Sequence, residues 1–453
     1  MNKARVLAVA IALLVISASG CEGALEAPAD GATGPGEGVT EGVAADCEQS
    51  YPGVDLHGCD LTEMTDLGPQ DWSGADLSGV NLSSLWIEGF DLRGANLNGA
   101  NLSGATFYNT KFDEATLNGT NLSCASFEYV DFTKVSFEDA VFDQPGDMPS
   151  TCGASFVDVD LLESSFSNLN MSHVSISGQN VDFTRTDFSF ATLTGSTIVG
   201  GDLTTALFTG ATLRGAELDD SIFRRTDLMT LDLQESTFSY ADLKGLDLSG
   251  LNLTGVHLSQ AELEGTNFTG AILRRALFQL ARATGANFNQ AVVEGTDFSG
   301  AYLDESTFEG VDLCSALLTG ATLNFVDLRG QNMRECQLTK VSLEGADLRD
   351  VDMTGAMLKG AYFGGGAYLG VPAKLSGTLL GNADLSDANF NCVDLSKTVL
   401  TDAIVDNASF SGSRAALTQT QLKTVGTGLD GWDRSGPKSL HLLAWDPAWC
   451  SSD

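Results

Sequence analysis

The chain has 453 residues, with 24 Lys or Arg against 60 Asp or Glu and a net charge of −36. Charge of this sign and size opposes binding to nucleic acid or to anionic lipid, and no basic patch rises above it: Arg224-Arg225 and Arg274-Arg275 are isolated pairs. The length would hold about three ordinary domains, but the repeats that fill the chain point to one elongated body.

Residues 1–20 read as an export signal. Lys3 and Arg5 precede the apolar run Val6 to Ile16, which is too short to span a bilayer and has the layout of a signal peptide. The following Ala18-Ser19-Gly20-Cys21 resembles the lipobox of bacterial lipoproteins. That resemblance implies lipidation of Cys21, a membrane contact through an N-terminal anchor, and a place in the bacterial cell envelope, on the outer membrane's periplasmic or surface face. Plain secretion is the alternative if the motif is not used. Residues 21–46, rich in Gly, Ala, Glu and Pro and without an aromatic residue, cannot bury enough to fold and read as a flexible tether.

A regular body begins at Cys47. Leu56 and Leu61 open it, and from Leu67 to Phe142 a large apolar residue recurs every five positions, through Trp72, Leu77, Leu82, Leu92 and Leu97. This first segment, 47–142, is followed by a loop at 143–155, where Pro145 and Pro149 break the count. The main body spans 156–410. It has a slip near 177–180, at Gly178 and Gln179, and another near 364–374, at Gly364-Gly365-Gly366 and Pro372; both read as two residues. Between Phe183 and Phe363, thirty-seven consecutive fifth positions are apolar, and a mostly small residue stands two places before each, as in Ala211-Thr-Leu213 and Ala241-Asp-Leu243.

A period of five suits neither an amphipathic helix nor a lone strand. Two residues two apart do point the same way on an extended chain, and the next such pair, three residues on, requires a corner. Short extended pieces joined by corners wind a coil, and four corners of about 90° would close one coil in twenty residues. The units, Ala95-Asn-Leu-Asn-Gly99, Ala100-Asn-Leu-Ser-Gly104 and Ala346-Asp-Leu-Arg-Asp350 among them, resemble those of the pentapeptide-repeat family. The resemblance implies an all-β fold, a right-handed quadrilateral β-helix with the central residue and the one two before it inward. About 17 coils are expected, making a rod of roughly 80 Å at about 4.8 Å per coil. Such a solenoid buries a core only by stacking coil on coil. Leu213, Leu233 and Leu253 then share one inward row, and Phe268, Phe288 and Phe308 another, facing Phe278 and Phe298. Two Phe-bearing sides are expected to face each other.

Residues 411–453 leave the pattern. Thr418 to Gln421 resembles a capping box that opens a short helix, and Trp432, Trp445 and Trp449 follow. An open solenoid end exposes its core and strand edges, so a short helical or irregular C-terminal cap is expected; a docking patch is the other use of this tail.

Apart from Cys21 there are eight cysteines, an even number that permits disulfides outside the cytoplasm. Cys47–Cys59, Cys124–Cys152 and Cys392–Cys450 are the candidate pairs, and Cys336 reads as a small buried hydrophobe. The four histidines, His57, His173, His257 and His441, have no metal-ligand neighbour at a useful spacing, and no catalytic or cofactor motif is present. Three acidic pairs, Asp227 with Asp247, Asp242 with Glu262 and Asp327 with Asp347, stand one coil apart. They would suit Ca²⁺, but read more simply as a solvated acidic face relieved by counterions.

The expectation is a non-enzymatic protein without cofactor or metal. It acts as a scaffold or binding surface for another envelope protein, with no nucleic-acid partner. The family resemblance brings one alternative, since some cytoplasmic members mimic B-DNA and act on DNA gyrase; the export signal argues against it. An enzyme with a site on the loop at 144–155 or 364–374 is the third reading.

Overall fold

The computed structural model describes residues 47, 51–64, 67, 70–142, 153–224, 226–364, 370–410 and 413. The chain divides into two units, Met1–Ala44 and Ala45–Asp453, and all the described residues lie in the second. The export signal, Cys21, the tether, the capping box and the three tail tryptophans lie outside the described residues.

The described residues form an all-β parallel solenoid. Strands β1 (Trp86–Glu88), β2 (Thr106–Tyr108), β3 (Ser126–Glu128), β4 (Ser155–Val157), β5 (Ser175–Ser177) and β6 (Thr197–Val199) form one parallel sheet in chain order. Single parallel bridges extend the ladder from Asp55–Asp76 to Asn389–Ser409. Among the described residues the one helical element is a 3₁₀ turn at Leu313–Ser315.

The unit centred on Leu97 shows how five residues make a side and a corner. Ala95 and Leu97 are buried, as alternation on an extended piece demands. Asn96 N–H donates to Ala75 O in the coil before, and Leu97 N–H to Thr116 O in the coil after. The corner closes when Ala100 N–H donates to Leu97 O at 3.0 Å, and the Asn96 side chain accepts from Asn98 N–H at 3.2 Å. Asn and Asp are frequent before the central residue because they can make this turn-stabilising bond. Where Ser or Thr takes the small inward position, its hydroxyl bonds to a backbone carbonyl, as Thr266 does to Leu243 and Thr296 to Leu273.

Gly99 sits at such a corner with φ of 67° and open space around it. Gly153 is constrained differently, since a Cβ there would fall on the backbone carbonyl of His173. Gly99→Ala is therefore expected to cost only the left-handed penalty, about 1–2 kcal/mol or less. Gly153→Ala forces two backbones apart and is expected to cost more, about 1–3 kcal/mol. Urea unfolding of both variants checks the order.

Asn96 pairs with Thr116, twenty residues on, where the repeat is unbroken. Asp131 pairs instead with Asp160, so nine extra residues enter that coil; the loop expected over 143–155 ends before Ser155, which opens β4. Asp160 pairs with Asp182, a two-residue slip. The last irregularity differs from expectation: Asp347 pairs with Lys374 and Asp352 with Leu379, so this coil holds seven extra residues rather than two. A fivefold register is blind to whole units, and seven extra residues leave the same phase as two.

The core is one continuous cluster. Leu213, Leu233 and Leu253 are 0–1% exposed. Phe268, Phe288 and Phe308 stack at 5.0 and 5.2 Å, and Phe278 and Phe298 interleave from the opposite side at 5.6 Å from Phe268 and Phe288 respectively. The expectation that Phe keeps to two facing sides fails elsewhere. Phe107 meets Phe112, and Phe127 meets Phe132, across adjacent sides at 5.3 and 5.1 Å. Every side supplies one large inward residue per coil, so any row can take a ring, and the coil through Phe127, Phe132, Phe137 and Phe142 carries one on every side.

Candidate binding surfaces

With the backbone spent on rungs and corners, outward side chains carry the chemistry. The acidic pairs are not relieved by solution counterions alone. Asp327 and Asp347 are bridged neighbours, each held at 2.6 Å by the arginine two residues on, Arg329 and Arg349. Arg224 holds Asp242 at 2.6 Å, and Lys244 reaches Glu262 at 2.8 Å. Asp247 accepts from Asn267. The position after each central residue lies beside the position before it, so an Arg or Lys there neutralises an acid of its own unit, as Arg329 and Arg349 do, or of the next coil, as Arg224 and Lys244 do. Each exposed pair is worth at most about 1 kcal/mol.

Among the described residues no group of three or more His, Cys, Asp and Glu could hold a metal ion. His57 bonds to the Asp55 carboxylate at 2.9 Å; His441 lies outside the described residues. The loop at 144–155 is described only from Gly153 on, and 365–369 of the second loop also lie outside. Beside that second loop, Arg349, Lys374, Ser376 and Lys397 line an open groove of about 560 Å³.

Two aspartates respond to pH in opposite senses. Burial and repulsion from Asp131 push Asp113 up to about 6, from an ordinary 3.8. A raised carboxyl contributes stability below pH about 4, which is lost as pH rises through about 6. The Arg329 guanidinium holds Asp327 down to about 2; its contribution is present above about 4 and lost as pH falls through about 2. Asp113→Asn is expected to flatten the stability profile between pH 4 and 7, and Asp327→Asn to flatten it below 4. Urea midpoints measured across the range check both.

Glu344 is fully buried and neither carboxylate oxygen has a hydrogen-bond partner. Its backbone is engaged, the N–H donating to Asn324 Oδ1 at 2.9 Å and the carbonyl accepting from Phe325 N–H at 2.9 Å. An unpartnered buried polar group costs about 1–3 kcal/mol or more. Glu344→Met, close in volume, is expected to raise the urea midpoint.

Cys47 and Cys59 are disulfide-bonded. Cys124 and Cys392 each take part in a disulfide of their own; Cys152 and Cys450 lie outside the described residues. Cys336 is corrected: it is buried, but as half of a disulfide with Cys314, their Cα atoms 4.8 Å apart. The 3₁₀ turn at Leu313–Ser315, with Asp312 accepting from Cys314 N–H, replaces the usual corner and sets Cys314 against the next coil. Cys336 lies two residues past Arg334, one coil on, a diagonal that reading straight rows misses.

The reading of the repeats also missed an aromatic diagonal across β1–β3. Trp86 is 63% exposed, its ring 6.2 Å from Tyr108, which meets Tyr129 edge-on at 5.6 Å. The available signal was three aromatics at outward positions of the unit.

The fold defines a parallel β-solenoid built from five-residue sides, with its side-chain chemistry carried on outward faces. The Pentapeptide repeats family matches at residues 75–113, 100–139, 179–210, 186–225, 232–270, 261–300, 296–334, 332–365 and 378–414. These stretches make up more than half of the sequence, and the chain belongs to the pentapeptide-repeat family. Among solved structures it is similar to HetL, a pentapeptide repeat protein involved in heterocyst differentiation regulation in the cyanobacterium Nostoc. That match has 26% identity over 58% of this chain and 89% of that one, with a TM-score of 0.22. It is also similar to QnrB1, a plasmid-mediated fluoroquinolone resistance protein (19%, 58% and 93%, TM-score 0.16). A pentapeptide repeat protein of the Arabidopsis thaliana thylakoid lumen matches at 22% over 28% of this chain and 68% of its own, with a TM-score of 0.10. Comparison with curated proteins found no match.

Proposed function

We propose that the protein is a non-enzymatic, lipid-anchored scaffold of the bacterial cell envelope, whose outward faces bind another envelope protein. The observation that carries this reading is the leader ending in Ala18-Ser19-Gly20-Cys21. The disulfides agree with it, since such bonds persist in oxidising compartments and are rare in the cytoplasm. A solenoid offers long repeated surfaces, and function must be sought in sites grafted on them.

The acidity of the chain favours one rival, a DNA-mimicking rod in the cytoplasm. Labelled palmitate decides between them. Incorporation in the membrane fraction that disappears in Cys21→Ala supports the anchor. A soluble cytoplasmic chain with its N-terminus intact sinks it and restores the mimic. An activity lost on deleting a loop, with the solenoid still folded, would instead identify an enzyme.

A further inference from the structure

We propose that the face of β1–β3 is a docking surface for an arginine- or lysine-bearing segment of a protein partner; this rests on the scaffold reading and names where and how it binds. Strand register places Glu88, Tyr108 and Glu128 in one column, so a carboxylate stands one rung, about 4.8 Å, on either side of the tyrosine. Trp86 lies beside this column, its Nε1–H donating to Glu88 at 3.2 Å and its ring nearly parallel to that of Tyr108, at 19°. Tyr129 closes the row from the corner. These contacts hold the aromatic side chains in place before any partner arrives, which lowers the ordering cost of binding.

Folding does not require this row. The core positions of the same strands, Ile87, Phe107 and Phe127, are already buried. Further along the same face the outward positions of β4–β6 hold short residues, among them Ser155, Ser175 and Thr197.

The charge around the row selects the occupant. None of the six strands carries a Lys or Arg. On the adjoining side Arg93 is engaged with Asp91 and Lys134 with Glu114, and Lys111 stands between Asp91 and Asp131 in its own column. A guanidinium laid on the Tyr108 or Trp86 ring gains the cation–π attraction while its N–H fork reaches Glu88 or Glu128. The net charge of −36 steers basic partners inward and repels acidic ones.

The test titrates the full chain into end-labelled tetra-arginine peptide and follows fluorescence anisotropy. Trp86→Ala, Tyr108→Ala and the double variant Glu88→Gln/Glu128→Gln are each expected to bind about tenfold more weakly, with affinity falling as salt rises. Glu217→Gln, an exposed acidic change in a more distant coil, is expected to bind as the parent does. All these side chains project outward, and circular dichroism confirms that the variants fold. Equal affinity in every variant would overturn the proposal, leaving only diffuse charge attraction. So would Trp86-dependent retention by the neutral glucan laminarin with no effect on the peptide. The scaffold reading fails separately, by loss of palmitate labelling in the parent chain, whatever the peptide does.

Discussion

Phe288→Ala is expected to lower stability by about 3–5 kcal/mol, the range for truncating a buried phenylalanine. The side chain has no exposure. Its ring lies parallel to those of Phe268 and Phe308, at 7° and 1°, and nearly perpendicular to that of Phe298, at 85°. Truncation removes one neighbour from each of four rings, those of Phe268, Phe278, Phe298 and Phe308, in a core too narrow to collapse freely. Leu213→Ala, equally buried but in a row of leucines, is expected to lose about 2–5 kcal/mol without the aromatic component. Because each coil touches only its neighbours, the damage concentrates near residues 268–308. Hydrogen exchange should rise there first, while amides around Trp72 stay protected. A uniform rise along the solenoid would contradict that locality.

The second large effect belongs to the Cys314–Cys336 bond. Its separation of 22 residues gives an expected loss of about 3 kcal/mol when both cysteines become serine, on the chain-entropy account of cross-links. Reduction of the parent protein, which opens its other disulfides as well, should lower its urea midpoint at least as far as in the double variant. The loss should again appear near the 3₁₀ turn. Identical midpoints for the reduced and oxidised protein would mean that the bond constrains nothing.

The repeat made the fold legible because one register held over so many units. It identified Leu213, Leu233 and Leu253 as core, placed the Phe268 and Phe278 rows opposite each other, and located the slips at Gly178 and at the Gly364–Gly366 run. Features that depend on relations between coils were harder to read. The size of the last insertion was hidden because a period cannot count missing units, and the Cys314–Cys336 diagonal because it crosses rows. Glu344 gave no signal at all: its position in the unit is outward, and its burial comes from what surrounds it in the fold. The same limit applied to Trp86, Tyr108 and Tyr129, which lie far apart in the chain and meet only because a coil returns every twenty residues or so.

That return is the claim on which the rest stands, and a cysteine-pair experiment tests it most directly. Thr322 and Ser342 are bridged partners on neighbouring coils, their Cα atoms about 4.8 Å apart, within the reach of a disulfide. Thr322→Cys combined with Ser342→Cys is predicted to cross-link on mild oxidation, as seen by peptide mapping, whereas Thr322→Cys combined with Gln337→Cys, on an adjacent side, is not. Cross-linking of the second pair in preference to the first would contradict a twenty-residue coil, and with it every surface described on its faces.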